Sequence, residues 1–198
     1  MSRCIGIIAA WLLLAGMTYG GDTNMTTVEY DGLVTMKGKP LTLLGPQVKV
    51  GDKAPEFKAV NASFKPVTLS DFKGKTVLIS AVPSLDTGVC AAQTKRFNEE
   101  AAKLPTNVVI LTISEDLPFA QKRFCETEKI DGMQVLSDSV WRDFGSKYGI
   151  VIKGMGLLSR SIWIISPDGR VIYKELVKDL SNFPDYDAAL KTLKASAK

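Results

Sequence analysis

Cys90 follows the segment Pro83-Ser84-Leu85-Asp86-Thr87-Gly88-Val89, at the end of an apolar strand-like run and just past a threonine suited to cap a helix. A thiol there sits among unpaired backbone N–H groups at the positive end of a helix, which favours the reactive thiolate over the thiol. No histidine occurs in the 198 residues, so the cysteine–histidine pairing of thiol hydrolases is excluded. Two uses remain for Cys90: redox chemistry, or packing alone.

A second thiol has to be found among three cysteines. Cys4 opens an apolar or small-residue run over 4–16, preceded by Arg3, too short to span a bilayer comfortably but suited to a signal-peptide core. The expected organisation is a signal peptide over 1–20, cleaved near Gly20-Gly21, and one domain over 21–198. An uncleaved anchor is the alternative. Cys4 then leaves with the leader and the mature chain keeps Cys90 and Cys125. Export, with the bacterial periplasm as destination, follows from the same reading. After cleavage no stable membrane insertion is expected. Two cysteines in an exported protein also fit a permanent structural disulfide.

The formal charge of +4 is dispersed rather than clustered, so neither nucleic-acid nor membrane-surface binding is indicated. With no histidine and two thiols, no metal is expected, and no other cofactor. Asp86, Glu115 and Asp116 read as capping and solvated charges, Trp141 and Trp163 as core or interface.

Strand-like stretches are expected at 28–36 and 41–48, joined as a hairpin, then at 57–60, 67–69, 76–82 and 108–113. The 76–82 run is apolar on both faces, as a buried parallel strand would be. Helical patterns fall at 90–103, 118–129, 140–148 and 185–194, the first with Ala91, Phe97, Ala101 and Leu104 as its buried stripe. Strands at 161–166 and 171–176 flank Pro167-Asp168-Gly169-Arg170, a hairpin-turn signal. This order gives an α/β domain with a mixed central sheet, flanking helices and an N-terminal β-hairpin, the order of a thioredoxin-like fold.

Pro83, Thr87 and Cys90 match the Pro-x-x-x-Thr-x-x-Cys signature of the peroxiredoxins, and the run through Ala91 resembles their thiol peroxidase subfamily, the atypical two-cysteine peroxiredoxins. Gly88 stands where proline is more frequent. Ser114 to Cys125, ending in Arg-Phe-Cys, resembles the segment of the resolving cysteine, and Gly156 to Ser161 the segment of the active-site arginine. The resemblance implies a thioredoxin fold and reduction of hydrogen peroxide and organic hydroperoxides. Cys90 would be the peroxidatic cysteine and Cys125 the resolving one, joined in an intramolecular disulfide. Thr87 and Arg160 would hold thiolate and peroxide, with Pro83 shielding the pocket. The implied partners are a thioredoxin-like reductant and a second copy of the chain in a homodimer.

Overall fold

The computed structural model describes residues 27–196, so the leader, Cys4 and the cleavage site lie outside the described residues. The chain opens with a hairpin of β1 (Glu29–Met36) and β2 (Lys39–Leu44), antiparallel and interrupted by a bulge between Asp31 and Val34. β3 (Lys58–Val60) and β4 (Pro66–Thr68) precede a 3₁₀ turn at Leu69–Phe72. Then come β5 (Thr76–Ala81), α1 (Gly88–Ala101), β6 (Val108–Ser114), α2 (Pro118–Glu128) and β7 (Gln134–Ser137). The chain closes with α3 (Asp143–Tyr148), β8 (Val151–Ile152), β9 (Ser161–Ile165), β10 (Val171–Leu176) and α4 (Tyr186–Ser196).

Seven strands form one sheet in the order β10-β9-β5-β6-β7-β3-β4, parallel across β5, β6 and β7 and antiparallel elsewhere. β1, β2 and β8 make a second, small sheet. Every residue of β5 is buried, because successive side chains enter different cores. Val77, Ile79 and Ala81 pack with Trp163, Phe57, Phe144 and Tyr148 on one face. Leu78 packs with Ile162, Ile164, Phe97, Ala189 and Leu193 on the other. Each large aliphatic side chain so buried contributes roughly 1.5–3 kcal/mol. Helices α1 and α4 cover one face and the aromatic cluster, with α3 in it, the other, so the apolar run at β5 is what a doubly covered central strand requires.

Three expectations need correction, and one strand carries no readable signal. Strand β7 is not visible as a pattern: it has four residues, too few for periodicity to register. The third helix starts at Asp143 rather than near residue 140, because Arg142 is left-handed (φ 52°) and the Asp138 carboxylate receives the N–H groups of Phe144 and Gly145. The second hairpin strand starts at Lys39 and stops at Leu44, with Pro40 inside it. The inward stripe of α1 is Cys90, Gln93, Thr94, Phe97 and Glu100, and Ala91 is only half-buried. That stripe is partly polar, so a search for apolar spacing finds a rotated one.

Backbone packing is closest where α3 meets the segment after β2. Gly149 has φ +64°, and a Cβ there would stand 1.9 Å from the Pro46 carbonyl oxygen. Gly38, in the hairpin turn, has φ +76° but open space around its Cβ direction. Gly149→Ala should therefore lose about 2–5 kcal/mol, from clash plus left-handed strain. Gly38→Ala should lose only the strain, about 1–2 kcal/mol. Urea midpoints of the two variants check this; equal losses would contradict it.

Candidate active site

The loop between β5 and α1 carries the thiol. Val82 extends the parallel pairing by donating to the Ile113 carbonyl, and Pro83 is buried beside it. Thr87 closes a turn onto the Ser84 carbonyl and starts α1, which delivers Cys90 to the interior with 1% of its surface exposed. Thr87 holds the cap position but makes no side-chain cap bond. Its hydroxyl instead stands 2.8 Å from Cys90 Sγ and 3.0 Å from the Ser84 carbonyl oxygen. One hydroxyl has one proton. With a thiol at Cys90, the S–H donates to Thr87 and the Thr87 proton goes to Ser84. With a thiolate, the Thr87 proton turns to sulfur.

Arg160, just ahead of β9, reaches the same sulfur. Its side chain is 2% exposed, and Nη2 donates to Cys90 Sγ at 3.3 Å. A guanidinium can only donate, so the sulfur is the acceptor. Nη1 donates to Gln93 Oε1 at 2.7 Å, while Nε and Nη2 donate to the Leu180 carbonyl at 3.1 and 2.9 Å. Gln93 is itself fixed by donating to Ser80 Oγ at 2.7 Å. All these acceptors except the sulfur are neutral oxygens. Arg160 is a buried cation aimed at Cys90.

The N-terminal hairpin has a part in this. Thr35 N–H donates to Lys178 O at 2.7 Å and Leu180 N–H returns to Thr35 O at 2.9 Å. Asp179 accepts from the Gly38 N–H, the Ser181 N–H and Thr35 Oγ1, which together hold its carboxyl below the usual range. The hairpin therefore pins the loop whose Leu180 carbonyl orients the guanidinium.

Cys125 lies on α2, half-buried, in the apolar cluster that holds Cys90, Val82, Leu85, Ile130 and Val135. Both cysteines are free thiols. Burial, with a smaller contribution from Glu126, pushes the Cys125 thiol up. It is therefore kept protonated in this fold, unlike a residue meant to attack first.

Sequence reading missed Gln93, Ser80, Asp116 and Gln121. Gln93 shares the inward face of α1 with Cys90 and Phe97, and Ser80 interrupts the apolar β5 run; a polar residue at a core position was the available signal. Asp116 is no solvated charge: it accepts from Ser84 Oγ at 2.7 Å and from Leu85 N–H and Ser114 Oγ at 2.8 Å each. Glu115 is buried, its side chain 4% exposed and 3.8 Å from Arg142, with both oxygens lacking a hydrogen bond. Burial first, then the Asp138 charge, pushes it up to about 7, with Arg142 opposing. Asp138 is pushed up to about 6 by burial, against the hydrogen bonds from Gly145 and Phe144. Trp163 is core, while Trp141 is 41% exposed with the Lys58 ammonium over its ring.

Comparison with known proteins shows the family of this chain. A family profile described as Redoxin matches residues 49–190. The chain is 51% identical over 163 residues to the thiol peroxidase of Halalkalibacterium halodurans, covering 82% of this chain and 98% of that one. It is 48% identical over 165 residues to the thiol peroxidase of Bacillus subtilis, covering 83% and 98%. Among solved structures, a peroxiredoxin-like protein from Aquifex aeolicus superposes with a TM-score of 0.78 at 40% identity, covering 84% of this chain and 98% of that one.

The Glu115–Asp138 pair makes stability depend on pH with a definite sign. Both carboxyls bind protons more tightly folded than unfolded, so stability is full at low pH and falls as pH rises from about 4 through about 7. After allowance for solvent screening, the loss between pH 5 and pH 8 should be on the order of 2 kcal/mol. With no histidine in the chain, little else competes in that window. Urea midpoints in a Cys90→Ser/Cys125→Ser background should fall from pH 5 to 8, and Glu115→Gln should flatten the fall. A flat or rising profile in the parent would refute the assignment.

Proposed function

The chain belongs to the Redoxin family and is a thiol peroxidase, and on that footing we propose that Cys90 attacks the hydroperoxide and Cys125 resolves the product. The observation that carries the proposal is the double contact at one buried sulfur, from the Thr87 hydroxyl and the Arg160 guanidinium. The Cys90 thiolate displaces the leaving oxygen: an S–O bond forms and the O–O bond breaks. Hydrogen peroxide gives water and an organic hydroperoxide gives an alcohol once the leaving oxygen takes a proton. Arg160 suits this step because its fork reaches sulfur and peroxide together and stabilises charge developing on the departing oxygen. Gln93 and Leu180 orient that fork without neutralising it. Thr87 accepts from the peroxide O–H while donating to sulfur, and buried Pro83 stiffens the wall of the pocket.

The product is a sulfenic acid at Cys90, oxidised by two electrons. It condenses with the Cys125 thiol, losing water and forming a disulfide. A disulfide needs Cα atoms within roughly 7 Å, and the proposed step includes local unwinding around Cys90 or Cys125 to reach that geometry. A thioredoxin-type protein then returns both thiols. The leader-like composition over 4–16 supports export to the periplasm, which would put that reductant outside the cytoplasm. Family resemblance supports a homodimer.

The test is the loss of free thiols after one equivalent of hydrogen peroxide on reduced protein. Wild type should lose two thiols and gain a Cys90–Cys125 disulfide. Cys125→Ser should stop at the sulfenic acid, and Cys90→Ser should not react. Arg160→Lys keeps the charge but not the fork, and its rate with peroxide should fall about 10²-fold. Unchanged thiols in wild type, or a reactive Cys90→Ser, would sink the proposal.

A further inference from the structure

One hydrogen-bond chain joins the two cysteine-bearing elements. Ser84 and Leu85, in the Cys90 loop, donate to the Asp116 carboxylate. Asp116 also accepts from Ser114 Oγ, and Ser114 Oγ accepts from Gln121 Nε2 at 3.0 Å. Gln121 lies on α2 one turn before Cys125, is 1% exposed, and also donates to the Leu136 carbonyl at 2.8 Å. The Asp116 carbonyl accepts from Ser137 Oγ at 2.6 Å. The path runs unbroken from the peroxidatic loop to the helix of the resolving thiol.

The same short stretch holds groups that folding leaves unsatisfied. Of the buried side-chain polar atoms without a partner among the described residues, both Glu115 oxygens and Gln121 Oε1 lie here; the others are on Thr112 and Ser159. A buried polar atom without a hydrogen bond is stabilised by exposure to water. Opening this stretch therefore breaks the Asp116 and Gln121 bonds but hydrates Gln121 Oε1, which folding leaves without a partner, and the buried Glu115 carboxyl. It also lifts Cys125 out of the burial that keeps it protonated.

Resting on the peroxidase reading above, we propose that Asp116 and Gln121 are positioning residues forming a latch, whose release sets the rate of disulfide closure. While the latch holds, Cys90 stays in the peroxide-reactive arrangement and Cys125 stays inert. Release of Ser84 and Leu85 from Asp116, and of Gln121 from Ser114 and Leu136, lets α2 unwind at its start. The Cys125 sulfur then attacks the Cys90 sulfenic sulfur, the S–O bond breaks, and water leaves with the Cys125 proton. The competing fate needs a second peroxide, which oxidises the sulfenic acid to a sulfinic acid and leaves as water or alcohol. Latch strength thus sets the partition between disulfide and sulfinic acid.

The experiment uses the full mature protein with hydrogen peroxide and follows sulfenic acid formation, disulfide formation and sulfinic acid yield separately. Ser84→Ala removes one latch bond, Asp116→Asn removes the charge at nearly constant size, and Gln121→Met removes both Gln121 donations. Each should speed disulfide closure by about three- to tenfold or more, since the net worth of one ordinary hydrogen bond is about that much. Sulfinic acid yield at high peroxide should fall in step, and amide exchange over 117–128 should quicken. If wild type forms no disulfide, the peroxidase reading fails and not the latch. If wild type closes but folded variants close no faster, the latch is overturned. Should Asp116→Asn not fold, Ser84→Ala and Gln121→Met decide by the same criteria.

Discussion

A guanidinium buried to 2% exposure, with no carboxylate paired to it among the described residues, is the interaction the rest of the structure serves. An isolated charge in such a place is costly unless its N–H groups are satisfied and a counter-charge faces it. The fold supplies satisfaction from neutral oxygens, on Gln93 and Leu180, and leaves the Cys90 sulfur as the group positioned to answer the charge. Gln93 comes from α1, Leu180 from the loop after β10, Arg160 from just ahead of β9, and Ser80, which fixes Gln93, from β5. Adjacent pairing of β5 and β9 brings Ser80 and Arg160 to the same region of the sheet. The N-terminal hairpin, which looks peripheral, secures the Leu180 carbonyl through Thr35 and Asp179.

Much of this arrangement was legible in the sequence, and the reason differs from element to element. β5 was visible because a doubly covered strand is apolar at every position. The Cys90 loop was visible because proline, threonine and cysteine stand in a spacing with chemical meaning. The 167–170 turn announced the hairpin of β9 and β10. Cys125 and Arg160 became legible through resemblance to a family rather than through local pattern. Nothing in composition alone would have paired them with Cys90.

What stayed hidden has a common cause: polar side chains spent inward. Gln93, Thr94 and Glu100 make the buried face of α1 look like a surface, so apolar spacing pointed a step away from the true stripe. Asp116 and Glu115 look like an acidic loop, yet one binds the Cys90 loop and the other is buried. Asp138 takes over the start of α3, and with Arg142 left-handed it displaces the helix from where its periodicity suggests. Long-range partners decide each of these, and a chain read in order does not show them.

Cys90 exposes 1% of its surface and shares an apolar cluster with Cys125. The reduced protein is therefore insulated as well as armed. A bulky thiol reagent or a stray protein disulfide must first disturb the β5–α1 loop to reach this sulfur. Burial thus protects the sulfur from other thiols and disulfides before any chemistry begins.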